Sequence, residues 1–102
     1  MDKVGIIVLN YNGARDTLEC VESLSVIQFP KVIYVVDNAS TNADYELVKK
    51  KLEGKVILIR TEKNLGYAGG NNLGIKRALA DGCDYICVLN NDTESTMDFL
   101  TP

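Results

Sequence analysis

The sequence predicts an α/β domain in which helices cover both faces of one mostly parallel sheet. Four short apolar runs recur along the chain, at residues 4–9, 32–36, 56–59 and 85–89. None of them alternates strictly with polar residues, which is the pattern of strands that are buried on both faces. Apolar residues at helical spacing occupy the intervals, so the order is β-α-β-α-β-α-β with right-handed crossovers.

The three helices are predicted from apolar residues that lie three or four positions apart. The stripes are Leu18, Val21 and Leu24 in the first helix, Tyr45, Val48 and Leu52 in the second, and Ile75, Ala78 and Leu79 in the third. Thr41 and Asp44 have the spacing of a capping box at the start of the second helix. Gly54 and Gly82 stand where helix ends favour a left-handed residue.

Composition and charge limit the classes of function. The 102 residues suffice for one domain, with 46% hydrophobic and 25% charged residues and a net charge of −3. Without a basic excess, general binding of nucleic acid is not expected. No apolar run approaches the roughly 20 residues of a membrane span, and the amino-terminal run is explained better by a strand than by a signal peptide.

The three cysteines, Cys20, Cys83 and Cys87, are an odd set without an export signal, which favours a reduced, cytoplasmic protein. The chain has no histidine, so a zinc site at Cys83 and Cys87 is not expected. Small apolar packing residues are the preferred interpretation.

Polar residues follow each predicted strand at the point where it ends. They are Asn10, Tyr11, Asn12 and Gly13 after the first run, Asp37 and Asn38 after the second, Gly69, Gly70 and Asn72 within segment 64–72 after the third, and Asn90, Asn91 and Asp92 after the fourth. In open α/β sheets, ligands bind outside the carboxyl ends of the strands. The sequence therefore predicts a binding cleft at this edge.

Two roles are open for Asp37. Its carboxylate can accept hydrogen bonds from a ring N–H or a ribose hydroxyl of a ligand. Alternatively, Asp37 or Asn38 builds a turn into the next helix. The glycines at 66, 69 and 70 can admit a ligand to a helix N-terminus that favours phosphate, or they form a turn alone.

Asp92 is the best candidate for a metal ligand. Mg2+ and Mn2+ take oxygen ligands and often need only one or two protein carboxylates beside substrate phosphates. The alternative is a helix-capping role, because the segment from Ser95 to Leu100 is predicted to open a further helix.

Four segments together resemble the first half of an inverting family 2 glycosyltransferase, most closely its rhamnosyltransferase-like members. They are VGIIVLNYNG, VIYVVDNASTN, KNLGYAGGNNLGI and YICVLNNDTE, in this order along the chain. The resemblance extends from Val4 to about Leu100 and implies a glycosyltransferase A fold, with a Rossmann-like donor half followed by an acceptor half. Residues 1–102 are then expected to be the donor half, ending before the acceptor half.

The resemblance also implies the partners of the site. Asn10, Tyr11, Asn12 and Asp37 would hold the nucleoside of a nucleotide-diphosphate sugar, with Asp37 toward the base. The glycine-rich segment, with Gly69, Gly70 and Asn72, would lie along the donor. The turn at Asn90, Asn91 and Asp92 corresponds to the family's Asp-x-Asp motif, which holds Mg2+ or Mn2+ and the diphosphate.

This chain departs from the family pattern in two ways. Asn90 replaces the first Asp of the motif, and its uncharged amide predicts weaker affinity for the metal. The general base of the family lies in the acceptor half, so it is expected beyond residue 102. A base would activate an acceptor hydroxyl, saccharide or lipid-linked, for direct displacement of the nucleoside diphosphate.

The sequence pattern also allows two other classes of protein to be considered. A non-catalytic α/β nucleotide-binding or interaction module would keep the same pattern, and the reading frame downstream of Pro102 would discriminate it from an enzyme. A flavodoxin-like receiver is disfavoured because Asn10 and Asn12 stand where its acidic pair is expected. A homodimer is expected from an exposed sheet edge or an uncovered apolar face, and peripheral association with the inner face of the membrane would suit a lipid-linked acceptor.

Overall fold

The computed structural model describes residues 3–28 and 30–89, in which four strands alternate with three helices. The elements are β1 Val4–Asn10, α1 Ala14–Ser25, β2 Lys31–Asp37, α2 Asn42–Leu52, β3 Ile57–Arg60, α3 Gly66–Ala80 and β4 Tyr85–Leu89. The predicted order and the Rossmann-like α/β class are confirmed. The helix predicted to open near Ser95 lies outside the described residues.

The four strands form one sheet in the order β3-β2-β1-β4, and every neighbouring pair is parallel. β1 and β2 extend one residue beyond their predicted carboxyl ends, so Asn10 and Asp37 are strand residues that pair directly with each other. β3 is shifted by one position from its prediction and ends at Arg60. All strands therefore finish at one edge, here called the carboxyl edge.

Two hydrophobic cores lie on opposite faces of the sheet. On one face, α1 and α2 bury side chains that include Val21, Leu24 and Val48 against Ile6 and Val8 of β1. On the other face, α3 packs on a core whose members include Ile7, Tyr34, Val36 and Ala78. Helices on both faces were predicted, because strands without polar alternation must be covered on both sides.

Glycines let α3 approach the sheet closely. A Cβ at Gly70 would lie 2.5 Å from Cδ1 of Leu9, and a Cβ at Gly74 would lie 2.6 Å from Cγ2 of Ile7. Gly70, Gly74 and Ala78 are spaced by four and form the stripe that faces the sheet. The prediction that Leu79 belongs to the buried stripe is wrong. Leu79 lies about 100° around the helix from Ala78 and is 60% exposed.

The predicted N-cap of α2 and the predicted left-handed glycines after α2 and α3 are confirmed. Thr41 is the N-cap of α2 and its hydroxyl accepts the Asp44 N–H at 3.4 Å. Gly54 and Gly82 adopt φ of +81° and +84° after α2 and α3, a conformation that costs least without a Cβ.

The cysteines pack within the fold. Cys87 belongs to the core under α1 and α2, Cys83 belongs to the core under α3, and Cys20 is half-buried. Burial raises the pKa of the Cys20 thiol. Among the described residues, no helix is long and apolar enough to span a membrane.

Candidate functional site at the carboxyl edge

The carboxyl edge brings together the polar residues that end β1 and β2. Asn10 and Asp37 are neighbours in the sheet register, and the Asn10 Nδ2 donates to Asp37 Oδ1 at 2.8 Å. Leu89, the last residue of β4, pairs with Val8 of β1, two residues before β1 ends, so β4 also ends at this edge. Residues 90–92, including Asn90, Asn91 and Asp92, follow Leu89 along the chain but lie outside the described residues.

Asn10 is the centre of a buried hydrogen-bond network. Its Nδ2 lies 2.8 Å from Asp37 Oδ1, 2.9 Å from Asp44 Oδ2 and 3.2 Å from Ser40 Oγ. Its Oδ1 accepts the Thr17 hydroxyl at 2.6 Å. With the side chain fully buried, both ends of the amide are engaged inside the protein. Both polar atoms of the Asn10 amide are hydrogen-bonded within the protein. Asn10 can therefore support a ligand site by holding its neighbours in place.

Asp37 is also fully buried, although it carries a charge. Besides Asn10, its carboxylate accepts the Ser40 N–H at 3.3 Å and lies 3.8 Å from Arg60 Nε. The bond to Ser40 N is the turn-building contact that the sequence left open as one of two roles. A buried carboxylate of this kind needs a compensating charge and hydrogen bonds, and Arg60 supplies the charge.

Arg60 lies beside Asp37 because β3 and β2 pair those two positions directly. Its guanidinium stacks on the Tyr45 ring at 4.0 Å and donates to Asn42 Oδ1 at 3.0 Å. It therefore links the end of β3 to the first turns of α2 as well as to Asp37.

Tyr11 is an exposed aromatic residue of the edge. Its side chain is 54% exposed and makes no hydrogen bond to the residues that the structure describes. It belongs to the short loop 11–13, in which Asn12 adopts a left-handed φ of +49°. The Asn12 N–H donates to Ser40 Oγ at 2.8 Å, and Asn12 Oδ1 accepts the Thr41 N–H at 2.8 Å.

Asn38 holds the loop that precedes α3. Its Oδ1 accepts the Leu65 N–H at 2.8 Å, and its Nδ2 donates to Asn64 Oδ1 at 3.0 Å and to the Gly66 carbonyl at 3.1 Å. Asn38 is only 2% exposed. Like Asn10, it is buried and holds neighbouring groups of the edge in place.

The glycine-rich segment is helical. Gly69 and Gly70 lie within α3, and Gly70 sits against Leu9 and Asn38. Asn72 is exposed, whereas Asn71, which the sequence reasoning did not single out, is 6% exposed and its Oδ1 has no hydrogen-bond donor among the described residues. The glycine-rich segment therefore allows α3 to pack closely on the sheet. Its contact with a nucleotide-sugar donor stays a prediction.

The described part of the chain contains no cluster of three or more His, Cys, Asp or Glu side chains that could hold a metal ion. Asp37 is engaged with Asn10, Ser40 and Arg60. Asp92 as a metal ligand at this edge stays a prediction, because this residue lies outside the described residues.

Of the contributors to this edge, sequence reasoning missed Arg60 and gave no contact at the edge to Ser40 or Asp44. The signal for Arg60 was available, since it directly follows the apolar run 56–59 and therefore stands at a strand end, as Asp37 does. Asp44 was predicted only as a helix-opening residue. Its contacts to β1 and α1 depend on how α2 packs beside α1, which a local pattern does not report.

Comparison with known sequences identifies the family. The sequence model described as glycosyl transferase family 2 matches residues 5–102. An uncharacterised protein of Mycobacterium tuberculosis is 38% identical over 72 residues, which are 65% of this chain and 27% of that protein. The low-salt glycan biosynthesis hexosyltransferase Agl10 of Haloferax volcanii is 33% identical over 96 residues, which are 92% of this chain and 29% of that protein.

A solved structure shares the fold. The mannosyltransferase PcManGT from Pyrobaculum calidifontis, in complex with GDP-Man and Mn2+, superposes with a TM-score of 0.69 over 87% of this chain and 27% of that chain, at 23% identity. This chain thus spans less than a third of the length of these proteins. Since the family model covers nearly the whole chain and the parallel sheet has the same architecture as that enzyme, the chain belongs to glycosyltransferase family 2.

Proposed function

We propose that this chain binds the nucleotide-diphosphate sugar of an inverting, metal-dependent glycosyltransferase that transfers the sugar to an acceptor hydroxyl. The observation that carries the proposal is the carboxyl edge, where the exposed Tyr11 directly follows Asn10, which is bound to Asp37 and Ser40 in a buried network. We assign a planar base to the exposed ring beside these polar groups. The GDP-Man bound to the structural neighbour supports the same ligand class.

The nucleoside is assigned to the ends of β1 and β2. The Tyr11 ring is free to stack on a base, a contact worth about 1–3 kcal/mol for nucleobases on aromatic side chains. Asn12 is exposed beside it and offers its amide Nδ2. Asp37 and Asn38 support the nucleoside site indirectly. Asp37 holds Arg60 in place, and Asn38 holds the loop before α3.

The diphosphate and the metal are assigned to Asn90, Asn91 and Asp92. These residues follow the end of β4, which lies beside β1 at the carboxyl edge. A bound Mg2+ or Mn2+ would neutralise charge on the departing diphosphate. The family's general base lies in the acceptor half, and the proposed acceptor is a saccharide or a lipid-linked molecule. A lipid-linked acceptor would suit a cytoplasmic protein that associates with the inner face of the membrane.

Calorimetry on the folded chain tests this proposal. We expect GDP, UDP or dTDP to bind in the presence of Mn2+, and binding to weaken when EDTA removes the metal. Asp92→Ala should bind with the same affinity whether or not Mn2+ is present, because the charged metal ligand is gone.

The matched control for Asp92→Ala is Asp16→Ala, which removes an exposed carboxylate on α1 and should keep the metal dependence. If none of the three diphosphates binds the folded parent chain with Mn2+, the proposed function is wrong. If Asp92→Ala keeps the full response to Mn2+, the metal assignment alone is wrong.

A further inference from the structure

One carboxylate holds both ends of loop 11–13. Asp44 Oδ2 accepts Asn10 Nδ2 at 2.9 Å, just before the loop, and Asp44 Oδ1 accepts the Ala14 N–H at 3.0 Å, just after it. Asp44 lies on α2, about thirty residues away along the chain. The loop is therefore bracketed by a residue from a different element.

The contact at Ala14 replaces a missing cap. Gly13 precedes α1 and has no side chain to accept the first free N–H groups of that helix. The first N–H groups of a helix lack partners within the helix, and an acidic group there is stabilised by the helix dipole. Asp44 supplies this acceptor from α2, although its own backbone N–H is capped by Thr41.

The middle of the loop is held from the same side. Asn12 donates its N–H to Ser40 Oγ and accepts the Thr41 N–H through Oδ1, both at 2.8 Å. Residues 40–44 thus hold loop 11–13 at its start, its middle and its end. The Tyr11 side chain is 54% exposed and makes no hydrogen bond to the described residues.

We propose that Asp44 is a positioning residue for the nucleotide, which orders loop 11–13 so that the Tyr11 ring is held ready to stack on the base. The inference rests on the proposed function and goes beyond it, because Asp44 acts on the donor through Tyr11 without touching it. Ordering a loop before binding removes part of the entropy cost of association. Affinity for the nucleotide should therefore depend on a side chain outside the loop.

The primary test is Asp44→Asn, measured by calorimetry with the nucleoside diphosphate that binds the parent most tightly. An asparagine can accept only one of the two N–H groups and turns an NH2 toward the other donor. We expect affinity to fall about fivefold to tenfold, which corresponds to the net free energy of one ordinary hydrogen bond that orders the site. Ser40→Ala removes the acceptor of the Asn12 N–H and should weaken affinity in the same direction.

A double-mutant cycle separates positioning from general destabilisation. If Asp44 acts through Tyr11, then adding Asp44→Asn to Tyr11→Ala should change affinity by less than about twofold. A merely structural role would weaken binding equally in both backgrounds. Glu46→Gln is the matched control, since it removes one negative charge from exposed α2 surface and should leave affinity unchanged.

Amide hydrogen exchange provides a readout that needs no nucleotide. Asp44→Asn should speed exchange at Asn12 and Ala14, while amides in the centre of β1 keep their protection.

Unchanged exchange at these two amides, or equal effects in the two Tyr11 backgrounds, would overturn the positioning role. Failure of the parent to bind any nucleoside diphosphate would instead overturn the proposed function on which the role rests. If Asp44→Asn does not fold, Ser40→Ala carries the same cycle and the same exchange measurement at Asn12.

Discussion

Asp37 shows at the scale of one residue how a position can be predicted and its role left open. The sequence placed it at a strand end and allowed either a ligand contact or a turn. In the structure it is fully buried between Asn10 and Arg60, and it accepts the Ser40 N–H. Its primary task is therefore to organise the edge, and any effect on a ligand is transmitted through the groups it holds.

Asp37→Ala should lower the free energy of unfolding and weaken nucleoside binding even without metal. The substitution removes one of the three acceptors of Asn10 Nδ2 and the carboxylate beside the partly exposed Arg60 guanidinium, which costs about 1–3 kcal/mol. Urea denaturation measures the first effect and calorimetry in EDTA the second. Asp16→Ala, at an exposed site, is the control. Parent-like stability together with parent-like binding would contradict the role given to Asp37.

Tyr34 is a second buried polar residue, on the face covered by α3. It is fully buried, and its hydroxyl donates to Asp81 Oδ2 at 2.7 Å. Burial, together with the bond to Asp81, raises the pKa of the phenol. The folded protein thus keeps this proton at pH values where the unfolded chain, with a pKa of about 10, releases it.

The stability of the parent should therefore decrease as the pH rises above about 10, because ionisation of Tyr34 then favours the unfolded state. Below that pH the proton is bound in both states and this contribution is complete. Tyr34→Phe should remove this part of the pH dependence and cost about 1 kcal/mol at neutral pH. Urea denaturation at pH 8 and above pH 10 tests this, with Tyr85→Phe at a 41% exposed site as control. The same alkaline loss in Tyr34→Phe as in the parent would contradict the assignment.

At the scale of elements, α3 was predicted in place, but its buried stripe was predicted only in part. Ile75 and Ala78 contact the core as predicted, whereas Leu79 is exposed and the structure turns Gly70 and Gly74 to the sheet as well. A hydrophobicity pattern favours large residues, but here the sheet already supplies bulky side chains and leaves room only for glycine. The stripe with the least side-chain volume is therefore the buried one.

Gly74→Ala should destabilise the protein more than Gly70→Ala. The added Cβ at residue 74 would meet the branched Cγ2 of Ile7 at 2.6 Å and Cγ2 of Val36 at 3.1 Å, whereas at residue 70 the nearest atom is the terminal Cδ1 of Leu9. Overpacking costs about 1–3 kcal/mol, offset by up to about 1 kcal/mol of better helix propensity. Thermal unfolding of both variants measures the order, and a Gly74→Ala variant at least as stable as Gly70→Ala would contradict the packing argument.

At the scale of the whole molecule, the parallel sheet explains why distant residues share one edge. Four strands that run in the same direction must all end on the same side, so residues more than 25 positions apart, such as Asn10 and Asp37, become neighbours. This convergence was predicted, and it is confirmed for the ends of β1 and β2. That residues 90–92 lie at the same edge stays a prediction. The expected homodimer stays a prediction as well.

The sequence by itself determined the order of the elements, the α/β class, the family and the edge at which polar residues collect, because apolar runs, helical spacing and strand-end residues are local features. Only the tertiary structure decided which of those polar side chains contact each other. Asp44 binds β1 and α1, and Arg60 pairs with Asp37, because strand register and helix packing bring together groups that lie 20 to 35 positions apart. A hydrogen bond acts over about 3 Å, so its partners follow from the packed arrangement of the elements and not from spacing along the chain.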